Sequence, residues 1–106
     1  MSKYLIQFGY TTEGVKGLLK EGGSKRQQAT EQLIKSLGGR LEAYYFTYGE
    51  YDGFTIVDGL DDVDVSAAAL TVSASGAVRV KTTVLLTPEQ VDKAAKKTAI
   101  YRPPGQ

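Results

Sequence analysis

Between residues 48 and 53 the chain reads Tyr48-Gly49-Glu50-Tyr51-Asp52-Gly53, and the runs on either side both look like β-strands. Arg40 to Tyr48 is rich in aromatic residues, and Phe54 to Asp58 alternates through Thr55, Ile56 and Val57. Two glycines free the backbone where a Tyr and an Asp stand side by side. A connection of this kind turns the chain back on itself, so the two strands are expected to pair as an antiparallel hairpin.

Upstream, Lys3 to Tyr10 is a first strand, with Tyr4, Ile6, Phe8 and Tyr10 on one face and Leu5, Gln7 and Gly9 on the other. Thr11 to Leu37 is helical in two pieces. Thr12 caps the first, whose apolar stripe is Val15, Leu18 and Leu19; Gly14 and Gly17 each cost it about 1 kcal/mol relative to Ala. Gly22-Gly23 breaks the helix, and Ser24-Lys25-Arg26-Gln27 restarts it with a capping box. Ala29, Leu33, Ile34 and Leu37 then recur at helical spacing until Gly38-Gly39. Downstream, Asp61-Asp62-Val63-Asp64 places acids at the favourable start of another helix, which runs through Ala67, Ala68, Leu70 and Thr71 to Gly76. Ala77 to Leu86 is the fourth strand. Thr87-Pro88-Glu89-Gln90 opens a short helix with Val91, Ala94 and Ala95 turned inward and Lys93, Lys96 and Lys97 outward. Residues 101–106, with Pro103-Pro104, read as an extended tail.

Strand, helix, strand, strand, helix, strand is the split βαβ order of a ferredoxin-like α+β fold. Right-handed crossovers make it a four-stranded antiparallel sheet with two main helices on one face, plus a short C-terminal helix. The chain is read as a single domain over residues 1–106, with 88–106 as C-terminal helix and extended tail. Strict alternation on the second strand puts Leu41, Ala43, Tyr45 and Thr47 on one side and Glu42, Tyr44, Phe46 and Tyr48 on the other. Both sets carry aromatic residues, each able to take about 150–250 Å² out of water. The face without helices is therefore expected to be covered by a second copy, as a dimeric α/β barrel.

Composition removes several functions. At 106 residues with a formal net charge of +1, the chain has no strong field to draw it to nucleic acid or to an anionic membrane. It contains no His, Cys or Trp, which removes disulfides, Cys/His zinc sites, thiol nucleophiles and imidazole acid–base chemistry. No metal or cofactor is expected. RNA recognition modules share this topology, but Asp52-Gly53-Phe54-Thr55-Ile56-Val57 lacks the basic residue and the later aromatics of their third strand. Gly22-Gly23-Ser24 could offer N–H groups to an anion; without a Walker lysine or a dinucleotide-binding glycine pattern, a helix kink is the better reading. The opening Met1-Ser2-Lys3-Tyr4-Leu5-Ile6-Gln7 is amphipathic and unlike a signal peptide. No apolar segment approaches the roughly 20 residues of a membrane helix. A cytoplasmic protein without a membrane partner is the expectation.

From Tyr4 to about Leu86 the chain resembles the GYD domain family. The resemblance rests on Tyr10-Thr11, Gly14, Arg26, Gly38-Gly39, Tyr45, Gly49, Tyr51-Asp52, Gly76 and Thr82-Thr83. It implies ferredoxin-like, dimeric α/β-barrel architecture and no agreed activity. Arg26, Tyr45, Tyr51 and Asp52 are the candidate ligand-binding residues, expected to line a pocket between sheet and helices. Arg26 offers a planar fork to an anion, and Tyr51 and Asp52 offer a hydrogen-bond donor and acceptor. Each also has a structural role to weigh: turn chemistry for Asp52-Gly53, an ion pair or a solvated arginine for Arg26, core and interface packing for the aromatics. Two functions follow. One is a small-molecule-binding or assembly module, acting as a homodimer or a multiple of dimers. The alternative is a metal-free enzyme resembling the cofactor-independent monooxygenases of this barrel class, disfavoured by the missing histidine. In a third reading the aromatics only pack.

Overall fold

A computed structural model of the chain describes residues 2–106. The elements are β1 (Ser2–Tyr10), α1 (Thr12–Glu21), α2 (Gly23–Ser36), β2 (Arg40–Phe46), β3 (Gly53–Leu60), α3 (Asp62–Ala74), β4 (Val78–Leu85) and α4 (Pro88–Ala95). The sheet has the order β2-β3-β1-β4 with every neighbouring pair antiparallel. This is the α+β, ferredoxin-like arrangement that the element order predicts, with α2 and α3 packed on one face of the sheet.

The local signals act through caps. Thr11, one residue before the expected Thr12, accepts from the Gly14 N–H and starts α1. Asp61 and Asp64 exchange side-chain and backbone bonds in a capping box at α3, and Thr87 and Gln90 do the same at α4. The capping box expected at Ser24 does not form. Gly22, at φ 90°, ends α1 and directly precedes α2, so Ser24 already lies inside the first turn.

Two β-bulges decide which side chains reach the core. Against β3, Leu41 pairs with Val57 but Ala43 pairs with Ile56, so Glu42 is an extra residue. Strict alternation fails at that point. Leu41 turns to the helix face together with Tyr44 and Phe46, while Ala43 and Tyr45 face the other way. On β3, Tyr4 pairs with Val57 and Ser2 with Leu60, leaving one residue too many at Asp58-Gly59. Gly59 takes φ 81° there, a left-handed conformation that glycine adopts without penalty. The bulge returns Leu60 to the helix face, where it is fully buried.

The core joins Tyr4, Val57 and Leu60 of the sheet to Ile34 of α2 and to Val65 and Ala68 of α3, with Ile6, Leu33, Leu37 and Leu41 packed around them. Tyr4 is buried, and its hydroxyl donates to the Asp62 carboxylate at the start of α3. That bond holds the phenol above its ordinary pKa. Ala29, Leu33, Ile34 and Leu37 thus form the inward stripe of α2 as spaced. The stripe on α1 does not: Leu19 is 81% exposed and Val15 41%, and Gly14 is the buried residue. Helix α1 meets the body through Thr11, whose N–H donates to the Ala77 carbonyl.

Nor does α4 have an inner side. Every residue from Leu86 to Gln106 is exposed, including Val91, Ile100 and Tyr101. The segment extends away from the body, giving a longest dimension of 57 Å and a radius of gyration of 16.9 Å. A compact chain of this length would have about 13 Å.

Candidate functional site

Strand β2 stops at Phe46 rather than Tyr48, and the connection to β3 is a closed loop. The Thr47 N–H donates to the Asp52 carbonyl at 2.8 Å, and the Thr47 hydroxyl to the Tyr51 carbonyl at 2.8 Å. Asp52 joins this loop to β1. Its N–H donates to the Phe8 carbonyl at 2.8 Å, and its carboxylate accepts the Tyr10 N–H at 2.7 Å. The β1–β3 ladder ends at Phe8 and Gly53. The carboxylate therefore takes the place of the next strand residue and satisfies a backbone donor left over at the sheet end. Gly53 has to lack a side chain, because a Cβ there would sit 2.2 Å from the Phe8 ring.

Arg79 secures the same loop from β4. It donates from Nη2 to the Glu50 carbonyl at 2.8 Å, and its guanidinium lies 4.9 Å from the centre of the Tyr51 ring. The side chain crosses the sheet over Gly9, where a Cβ would meet Cζ at 2.6 Å. The glycine, tyrosine and aspartate of the turn are thus each held by contacts to β1 or β4.

Between the sheet and its two helices lies a partly open cavity of about 100 Å³. Its floor is Phe8 and Tyr10 of β1, Tyr44 of β2 and Thr55 of β3. Its walls are Arg26, Thr30 and Leu33 of α2 and Ala68, Ala69 and Val72 of α3. The short side chains of α3 leave this space instead of closing onto the sheet. Phe8, Tyr44 and Phe46 pack with ring centres 5.4 to 6.0 Å apart at this end of the sheet. Burial pushes the Tyr44 phenol well above its ordinary pKa, reinforced by Tyr10; Thr30 and the Arg26 charge act in the other direction. Thr55 is buried, and its Oγ1 has no hydrogen-bond partner.

Of the four residues expected to share a pocket, the structure brings only Arg26 to this cavity. Its Nη1 also lies 3.7 Å from Glu21 Oε2 of α1, with both side chains about one-third exposed. Tyr45 stands on the opposite face, 62% exposed and stacked on Phe54 at 5.6 Å. Tyr51 and Asp52 are engaged in the loop. The reason is the alternation of β2 beyond its bulge: Tyr44 and Tyr45 are adjacent and must point to opposite faces. Tyr10 and Tyr44 belong to the aromatic set visible in the sequence. Thr30 and Thr55 carry no such signal, since an isolated Thr on a helix or strand looks the same whether it lines a cavity or faces water. Among the described residues no group of three or more His, Cys, Asp or Glu side chains is placed to hold a metal ion. No described helix is long and apolar enough to cross a membrane.

The fold and cavity define a ferredoxin-like α+β domain with an internal apolar recess and a cross-braced turn. The chain belongs to the GYD domain family, whose model matches residues 4–95. No curated protein and no solved structure matches it.

Proposed function

We propose that the chain is a small-molecule-binding module that works as a homodimer. The cavity carries this reading. Its lining is mainly apolar with a few polar residues, Arg26, Thr30, Tyr44 and Thr55 among them, and the Thr55 hydroxyl is buried without a partner. Sites of this make-up are how soluble proteins hold small organic ligands. Tyr44, protonated at neutral pH and held further above its ordinary pKa by burial, is a hydrogen-bond donor there. The metal-free enzyme is the weaker alternative. Among the described residues no carboxylate lines the cavity, and a phenol whose pKa is pushed upward is a poor general base near pH 7.

Support for the homodimer comes from the face of the sheet without helices. The register places Leu5, Ile56, Phe54, Ala43 and Tyr45 together in its middle rows. Ion pairs lie around them: Lys3 with Glu42 at 2.7 Å and Arg40 with Asp58 at 2.8 Å. An apolar centre within a charged rim is the anatomy of a protein interface.

Native mass spectrometry on gently purified protein tests both parts. The expected spectrum is a dimer, or a multiple of dimers, carrying additional small-molecule mass. Replacing Ile56 with Glu should shift the population to monomer. A clean monomer overturns the dimer. A dimer that neither carries nor takes up any small molecule from a fragment mixture overturns the binding reading.

A further inference from the structure

Three features of the cavity wall restrict what can occupy it. The first is size. At about 100 Å³, the cavity is on the scale of an engineered apolar cavity of about 150 Å³ in another protein that holds benzene. That scale matches a single ring. The second is the buried end. Thr55, 4% exposed, lies there with Ile34 and Ala68, and its hydroxyl has no partner. A ligand that reaches this end gains by bringing a hydrogen-bonding group to it. The third is charge. Among the described residues Arg26 is the one charged residue in the lining, and it is on the more open side, its side chain 31% exposed. Its 3.7 Å contact with Glu21 is long for an ion pair and partly solvated, so it competes weakly for the guanidinium.

We propose that the cavity binds a monocyclic carboxylic acid bearing a hydroxyl or carbonyl group on the side of the ring away from the carboxylate. This rests on the small-molecule reading above. The ring lies against Phe8, Leu33 and Val72. The planar fork of Arg26 pairs with the carboxylate at the open side, a match that Lys would not reproduce. The far polar group meets Thr55 Oγ1, and Tyr44 and Thr30 edge the ring.

Isothermal titration calorimetry with the full chain and three probes tests this: 4-hydroxybenzoate, its neutral analogue 4-hydroxybenzamide, and the two-ring 6-hydroxy-2-naphthoate. The expected result is 4-hydroxybenzoate bound at least tenfold more tightly than the amide, and the naphthoate not bound. Arg26→Gln should abolish the tenfold preference for the carboxylate over the amide. Arg26→Lys should keep only part of the preference, and Glu21→Gln should tighten carboxylate binding. Thr55→Val should weaken 4-hydroxybenzoate more than benzoate, added as a fourth probe. Thermal melts of each variant confirm that it is folded. Equal binding of carboxylate and amide by the wild type, or a preference that survives Arg26→Gln, overturns the ligand class. If amide binding is then abolished by filling the cavity with Ala68→Phe, the small-molecule reading still stands. Failure of both one-ring probes to bind, together with no small-molecule mass or fragment uptake in the native spectrum, overturns both.

Discussion

Asp52 acts as a piece of backbone. Its carboxylate accepts the Tyr10 N–H where the sheet ends, and a hydrogen bond to a charged group is worth about 1.5–3 kcal/mol. Asp52→Ala should lower unfolding free energy by about that amount, measured by urea denaturation. Asp52→Asn, which keeps one acceptor oxygen, should lose about 1 kcal/mol. Because Asp52 does not line the cavity, neither change should alter ligand affinity in the folded protein. A second residue-scale prediction concerns pH. The folded pKa of Tyr44 lies above its unfolded value of 10.0, so the folded state holds that proton more tightly. Its stabilising contribution is complete below about pH 10 and is lost as pH rises through the folded pKa. Urea midpoints should therefore fall more steeply above about pH 10 in the wild type than in Tyr44→Phe. Tyr4, raised by its bond to Asp62, contributes the same trend to both proteins and does not confuse the comparison.

At the scale of the element, β2 shows how one extra residue redirects a strand. Glu42 is opposite no partner, and because it is there Leu41 and Tyr44 both reach the helix face. Deleting Glu42 should rotate Leu41 out of the core, costing about 2–5 kcal/mol, the range for losing a buried leucine. Glu42→Gln keeps the residue count and loses only a partly exposed ion pair with Lys3, so it should cost no more than about 1 kcal/mol. Urea titrations of the two variants separate backbone register from charge. The bulge could not be seen in a pattern of Leu41, Ala43 and Tyr45 against Glu42, Tyr44 and Phe46, because both alternations are apolar enough to be buried. The α2 stripe was legible because one face of a helix either packs or does not. The α1 stripe misled because Val15 and Leu19 have no element opposite them.

The molecule as a whole divides into a cored body and an arm. Residues 86–106 are exposed throughout, and α4 is held in shape by its own capping box. An isolated helix of 8 residues is marginal in water. Deleting residues 88–106 should therefore change the melting temperature of the body by no more than about 2 °C, since little buried surface is lost. Differential scanning calorimetry checks this, and a fall of about 10 °C would show that the arm packs on a copy in solution.

The order of strands and helices, the cap at Thr87, the acidic start of α3, the inward face of α2 and the membership of the GYD domain family were all present in the sequence. Each depends on neighbours a few residues apart, or on a motif of fixed spacing. The sequence also supplied the turn residues and the arginine, but not their grouping. The tertiary structure decided that Arg26 and Thr30 of α2 face Tyr44 and Thr55 of the sheet across a cavity, and that Arg79 reaches over Gly9 to hold the turn. Those contacts join residues far apart in the chain. Tyr44 reaches the cavity because the extra residue at Glu42 shifts the side chains that follow it on β2 from one face of the sheet to the other.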